Sequence, residues 1–306
     1  MVSASTALNA SQYLIMFFAL GMGFFPDELM GGYGMDFMSC PAAKRGAPKC
    51  DPTAMKSFLF TMMGIMGIQM LLIAMVAAAM KREGVPKKAQ SIACFVTMSW
   101  YAFSSVETVF RLVVQASSWP AEIDKNGMYF NVALFGGMAY LMYTGWVDSG
   151  SAKPDFSGVK DIPSGKFGKP ILAGVALLAF YGIPCVIAGD SFVDWFGRGD
   201  QMAGFTPPVL FMLSWMFFNI GVNCCTSIVL QLALTSMGND EVSYKVLRAS
   251  AIIWMYSFGA SSQAHIIDML ESFDDPMRIF QFVTNFAVLF YQMNTFAKTP
   301  YTLKAK

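Results

Sequence analysis

A single histidine, His265, stands among 306 residues, which excludes a bis-histidine haem and any multi-histidine zinc or iron site within one chain. Charge is scarce too: Asp, Glu, Lys and Arg make up 13% of the sequence, about half the share carried by a soluble globular domain. Net charge is +1 and no basic block occurs, so no nucleic acid is expected as a partner. There is no phosphate-binding glycine loop, nucleophile elbow, zinc-protease helix signature or calcium loop. No catalytic residue and no metal site is therefore assigned, and no cofactor is specified. The first twelve residues lack the basic start of a secretory signal and the arginines of a transit peptide, so a cleaved leader is not expected.

What fills the chain instead is apolar: 55% of residues are hydrophobic, and a soluble protein would need a charged surface that these stretches do not supply. Runs close to the ~20 residues that cross a bilayer core recur at 7–26, 55–80, 90–113, 128–147, 169–189, 207–237, 246–268 and 279–297,. They are continuous, not alternating, so helices are the expected spanning elements. The expectation is an all-α polytopic membrane protein with eight transmembrane helices, embedded in a lipid bilayer. The connections on one side hold 13 of the 21 basic residues. The positive-inside rule makes that side cytoplasmic and puts both termini there. Cys40 and Cys50 then flank a loop on the opposite, oxidising side, where a disulfide between them is allowed,.

An offset of 154 residues aligns Leu59 with Leu213, Gly67 with Gly221, Gly84 with Gly238 and Trp100 with Trp254 without a gap; small changes of offset pair Asp27 with Asp190 and Tyr143 with Tyr291. Two four-helix repeats, 1–147 and 169–306, follow, joined by a cytoplasmic linker at 148–168. An even number of spans per copy makes the repeats parallel in orientation.

Polar side chains in membrane helices mark function or helix pairing. The third span carries Glu107 and Arg111 at i, i+4 beside Ser104 and Thr108. The seventh carries Ser257, Ser261, His265 and Asp268 on one face,. The sixth carries Asn219, Asn223, Thr226, Ser227 and Gln231 nearer mid-membrane. Glu107, Arg111, Asn219, Asn223, Ser261, His265 and Asp268 together form a candidate polar pathway or ligand site between the repeats. Gly64 and Gly67 suit close helix approach. The 25 methionines are spread along the chain and read as adaptable packing,.

Three function classes fit: a transporter or channel-like protein for a small solute or cation; a non-catalytic subunit holding lipid or pigment within a larger membrane complex, with other membrane subunits as partners; and a membrane enzyme acting on a lipid.

Overall fold

The computed structural model describes residues 2–31, 52–82, 84–115, 119, 123–189, 191, 202, 204–271 and 276–299. Cys40 and Cys50 lie outside them, and so do the side chains of Ser261, His265 and Asp268. The described residues are 85% helix and include no strand, so helices are the elements they offer to span a bilayer. The long helices are α1 (Ala4–Phe24), α3 (Pro52–Ala79), α4 (Lys87–Val113), α5 (Lys125–Asp148), α6 (Gly168–Ala188), α7 (Pro207–Thr235), α8 (Asp240–Glu271) and α9 (Pro276–Ala297); a short α2 (Pro26–Gly31) follows α1. Among the described residues, four segments are long and apolar enough to cross a membrane: Ala4–Phe24, Phe58–Ala79, Gly168–Ala188 and Pro207–Thr235. They place the chain among integral membrane proteins.

Local chemistry sets the helix ends. The Ser3 hydroxyl accepts from the Thr6 amide at 3.2 Å at the start of α1, and Asp124 accepts from the Asn126 amide at 2.9 Å at the start of α5, the usual way of satisfying first-turn donors. Pro207 and Pro208 occupy the first turn of α7, where a missing N–H costs nothing,. Gly84 and Gly238, at φ +86° and +65°, turn the chain just after α3 and α7, a left-handed conformation that favours glycine.

One end of the bundle, here the linker end, gathers the start of α1 with the ends of α3 and α5. The Ala4 amide donates to Asp148 at 3.2 Å, and Lys81 donates to Asn9 and to Gln12. In the other half of the chain, Tyr244 in α8 stacks on Phe296 in α9 and meets Phe167, before α6, at a tilt, at this same end. The linker lies here as well: Ser236 donates to the Asp155 carbonyl at 2.8 Å, and a 3-10 turn, Val159–Ser164, packs against α6 and α7.

At the centre α3 and α7 pack against each other. α1 lies on α3 and α6 lies on α7; α4 pairs with α5 and α8 with α9; α4 also reaches α7, and α8 reaches α3. Glycines allow close approach on both sides of this centre. A Cβ on Gly67 would sit 3.3 Å from the Ala19 backbone, and one on Gly221 would sit 2.7 Å from the Gly182 carbonyl oxygen and 2.5 Å from Val186. Gly64, which the sequence suggests for the same role, has open space around it. Only Gly67 faces the neighbouring helix closely.

Candidate functional site

A cavity sits between the first half of the chain and α7, on the side of the bundle away from the linker. Its empty space comes to ≈ 790 Å³ with the open solvent at its mouth included. Its walls come from the C-terminal part of α1, α2, the middle of α3, the C-terminal half of α4, the N-terminal half of α5 and α7 from its first turns to just past its middle. Asn219 and Asn223, singled out from the sequence, both face it.

Methionine dominates the surface in a way composition does not explain. Seven of the seventeen lining residues are methionines, whereas 25 in 306 would place one or two there by chance. α3 contributes Met63, Met66 and Met70, at i, i+3 and i+7 and hence on one face,. α7 contributes Met212 and Met216; Met22 and Met128 come from α1 and α5. Aromatic rings fill in between: Phe18, Trp100, Phe135 and Trp215.

Trp100 closes the cavity floor. Its indole N–H donates to Asn223 Oδ1 at 2.8 Å, within a buried contact between α4 and α7. Asn223 is 3% exposed. Indole nitrogen is a donor only, so this bond fixes the asparagine amide with its oxygen toward Trp100 and its Nδ2 elsewhere. Asn219 Nδ2 donates to the Trp215 carbonyl one turn earlier, at 2.9 Å, which turns Asn219 Oδ1 away from its own helix backbone.

Glu107 and Arg111 form an ion pair along α4. The pair also fastens α4 to α7: Trp215 Nε1 donates to Glu107 Oε2 at 3.1 Å, and the Arg111 guanidinium lies 5.6 Å from the Phe218 ring centroid. The carboxylate is thereby neutralised and occupied. It touches the cavity only through Trp215, whose ring lines the wall. Ser261, His265 and Asp268 are on α8, and their side chains are outside the described residues.

Below Asn223 the polar face of α7 continues toward the linker end at steps of four: Ser227, Gln231 and Thr235. All three are buried, Gln231 completely. Ser227 Oγ, both polar atoms of Gln231 and Thr235 Oγ1 have no hydrogen-bond partner among the described residues. An open, methionine-walled cavity thus leads to a sealed stretch of unbonded polar groups. Trp100, Trp215 and the methionine lining are not apparent from the sequence; the step-of-four polar stripe, carried on to Thr235, is the signal that points there.

No protein-family model matches this chain, and neither a curated protein nor a solved structure shows significant similarity to it.

Proposed function

We propose that this chain is an eight-span membrane protein of two parallel four-helix repeats, 1–147 and 169–306, that passes a small solute along a pathway between them. The observation that carries the reading is the cavity reaching Asn219 and Asn223, with the same face of α7 continuing beyond it as the buried, unbonded stripe of Ser227, Gln231 and Thr235. Polar groups deep in a membrane protein stay solvated or bonded unless another state uses them. A half-open, half-sealed polar track is what an alternating pathway needs in one of its states.

The packing supports the duplication. Exchanging α1, α3, α4 and α5 for α6, α7, α8 and α9 maps each long-helix pairing onto another observed pairing, with α3 against α7 on the axis,. The close approach of Gly67 to Ala19 maps onto Gly221 against Gly182, and the turn at Gly84 onto that at Gly238. The 154-residue offset also carries Trp100 and Asn223 onto Trp254 and Gln69. The first pair is bonded; Trp254 Nε1 and Gln69 Oε1 are each buried without a partner among the described residues. The two crossings between repeats are therefore in unlike states, which supports a protein that exchanges them. The positive-inside rule places the linker end, with both chain termini, in the cytoplasm and turns the cavity to the opposite side.

The test is thiol accessibility in a background without native cysteine. Asn219→Cys and Asn223→Cys should react with a small polar thiol reagent applied to the non-cytoplasmic face. Gln231→Cys should react only in a second state, at a slower rate or from the cytoplasmic face. Protection of all three positions from both faces would remove the pathway. The dense methionine and aromatic lining favours a second reading, a subunit that holds an apolar molecule without passing it on. In that case Asn219→Cys reacts when the ligand is removed and Gln231→Cys never does.

A further inference from the structure

We infer that the cavity binds a neutral, largely apolar small molecule carrying a hydroxyl or amide at one end, seated on Asn219 and Asn223; this rests on the pathway reading for its role but not for its geometry. Both amide orientations are fixed by their bonds to Trp100 Nε1 and the Trp215 carbonyl. What remains is a free donor, Asn223 Nδ2, and a free acceptor, Asn219 Oδ1, each without a partner among the described residues. They stand one turn apart, a rise of about 6 Å. Asn223 is nine-tenths buried and more, so water competes poorly there. Across the cavity on α4, the Ser104 hydroxyl is also without a partner among the described residues, and Ser104 is 9% exposed. A hydroxyl or amide, which both donates and accepts, satisfies this set; a hydrocarbon does not.

Charge argues for a neutral ligand. Glu107, between the lining residues Ser104 and Thr108 on α4, is held by Arg111 and Trp215, and a hard cation requires several oxygen ligands with net negative charge. Thioethers suit a soft ion such as Cu(I). However, Met63 to Met70 alone runs about 10 Å along α3, and Met212 and Met216 face the cavity from α7. That arrangement papers a chamber; it does not converge on a point. Flexible, polarizable side chains between aromatic rings adapt to the outline of an organic molecule.

The experiment uses the full chain in lipid nanodiscs, with equilibrium dialysis against empty nanodiscs to remove partitioning. The probes share one shape: 2-naphthol, 2-methylnaphthalene, 2-naphthoate and 2-naphthylmethylammonium, with Ag(I) as the soft ion. 2-Naphthol should bind at least ten times more tightly than 2-methylnaphthalene. In Asn223→Leu and in Asn219→Leu that ratio should fall to near one while 2-methylnaphthalene still binds, which shows that the variants are folded. Among the described residues Asn219 bonds only within its own helix, so its replacement leaves the α4–α7 contact in place. Equal affinity for the two neutral probes in the unaltered protein overturns the inference. So does a ratio that survives in both variants, or tightest binding of either ion or of silver. A tenfold preference with Gln231→Cys never labelled leaves the ligand class standing and removes the pathway. Labelling of Gln231→Cys without the preference does the reverse.

Discussion

The indole of Trp100 and the amide of Asn223 meet at 2.8 Å across the contact between α4 and α7, joining a residue of the first four-helix group to one of the second. The bond orients the amide that faces the cavity. It also fixes how far α7 can slide against α4.

Removing either partner should cost stability, and the double variant should cost less than the two single losses added together. Interhelical hydrogen bonds in membrane proteins are worth ~0.6 kcal/mol on average and up to ~1.7. Trp100→Phe, Asn223→Leu and the double variant, melted in the same detergent, should give a coupling free energy inside that range. Additivity would show that the bond carries no net stability.

Arg111→Leu should be more damaging. It leaves Glu107, whose side chain is 9% exposed, with only the Trp215 indole as partner. Losing one partner of a buried ion pair costs about 3–5 kcal/mol, and replacing Glu107 by Gln in the same chain should restore much of it. The check is the urea or thermal midpoint of the two variants in detergent. An unchanged midpoint for Arg111→Leu would mean that Glu107 is already solvated.

The glycines separate cleanly by what surrounds them. Gly221→Ala would put a methyl 2.7 Å from the Gly182 carbonyl oxygen and 2.8 Å from the Val186 backbone nitrogen, so α6 and α7 must part and the melting temperature should drop sharply. Gly67→Ala meets Ala19 at 3.3 Å and should cost less. Gly64→Ala meets nothing within 4 Å and should be neutral or stabilising, by up to ~1 kcal/mol from helix propensity. The order of the three melting temperatures is the prediction; any other order contradicts the packing of α1 on α3 and α6 on α7.

Lys81, beyond the membrane-spanning part of α3, has its ammonium held below the usual lysine range, first by loss of hydration and then by the charge of Arg82. A lowered pKa in the folded state means the unfolded chain binds more protons within the window between that value and 10.5. Stability therefore rises with pH across that window and the contribution is complete above it. Against Lys81→Met, which cannot titrate, the unaltered protein should gain in melting temperature from pH 8 toward pH 10.5. A parallel pair of curves would contradict it.

Helix positions are legible in the sequence wherever hydropathy and end signals agree. The run at 207–237 becomes Pro207–Thr235 because a proline pair opens it and Gly238 turns the chain just beyond it. Legibility falls where polar residues open a helix: the run at 246–268 extends to Asp240–Glu271, because Asp240 and Glu241 lower hydropathy while acids favour a first turn. Rotation about each helix axis is the information that hydropathy does not hold. Met62, Met66 and Met70 form a visible step-of-four line, yet the cavity is faced by Met63, Met66 and Met70. Their partners on α1, α5 and α7 can be recognised only after the helices are set side by side. The same limit hides Trp215 behind Glu107, since residues 108 positions apart in sequence share a hydrogen bond. Asn219 and Asn223 were readable because uncharged polar groups in an apolar run stand out on composition alone.

The unbonded groups of Ser227, Gln231 and Thr235 bear on how the interior behaves over time. Each buried donor or acceptor without a partner costs roughly 1–3 kcal/mol, so a thread of water entering between α7 and its neighbours would relieve that cost while prising apart close-fitting apolar walls. Drying and wetting of this segment then differ by a small balance of two large opposing contributions. A substitution that merely loosens or tightens the walls beside Gln231 would shift how often the interior floods, without touching any group that binds.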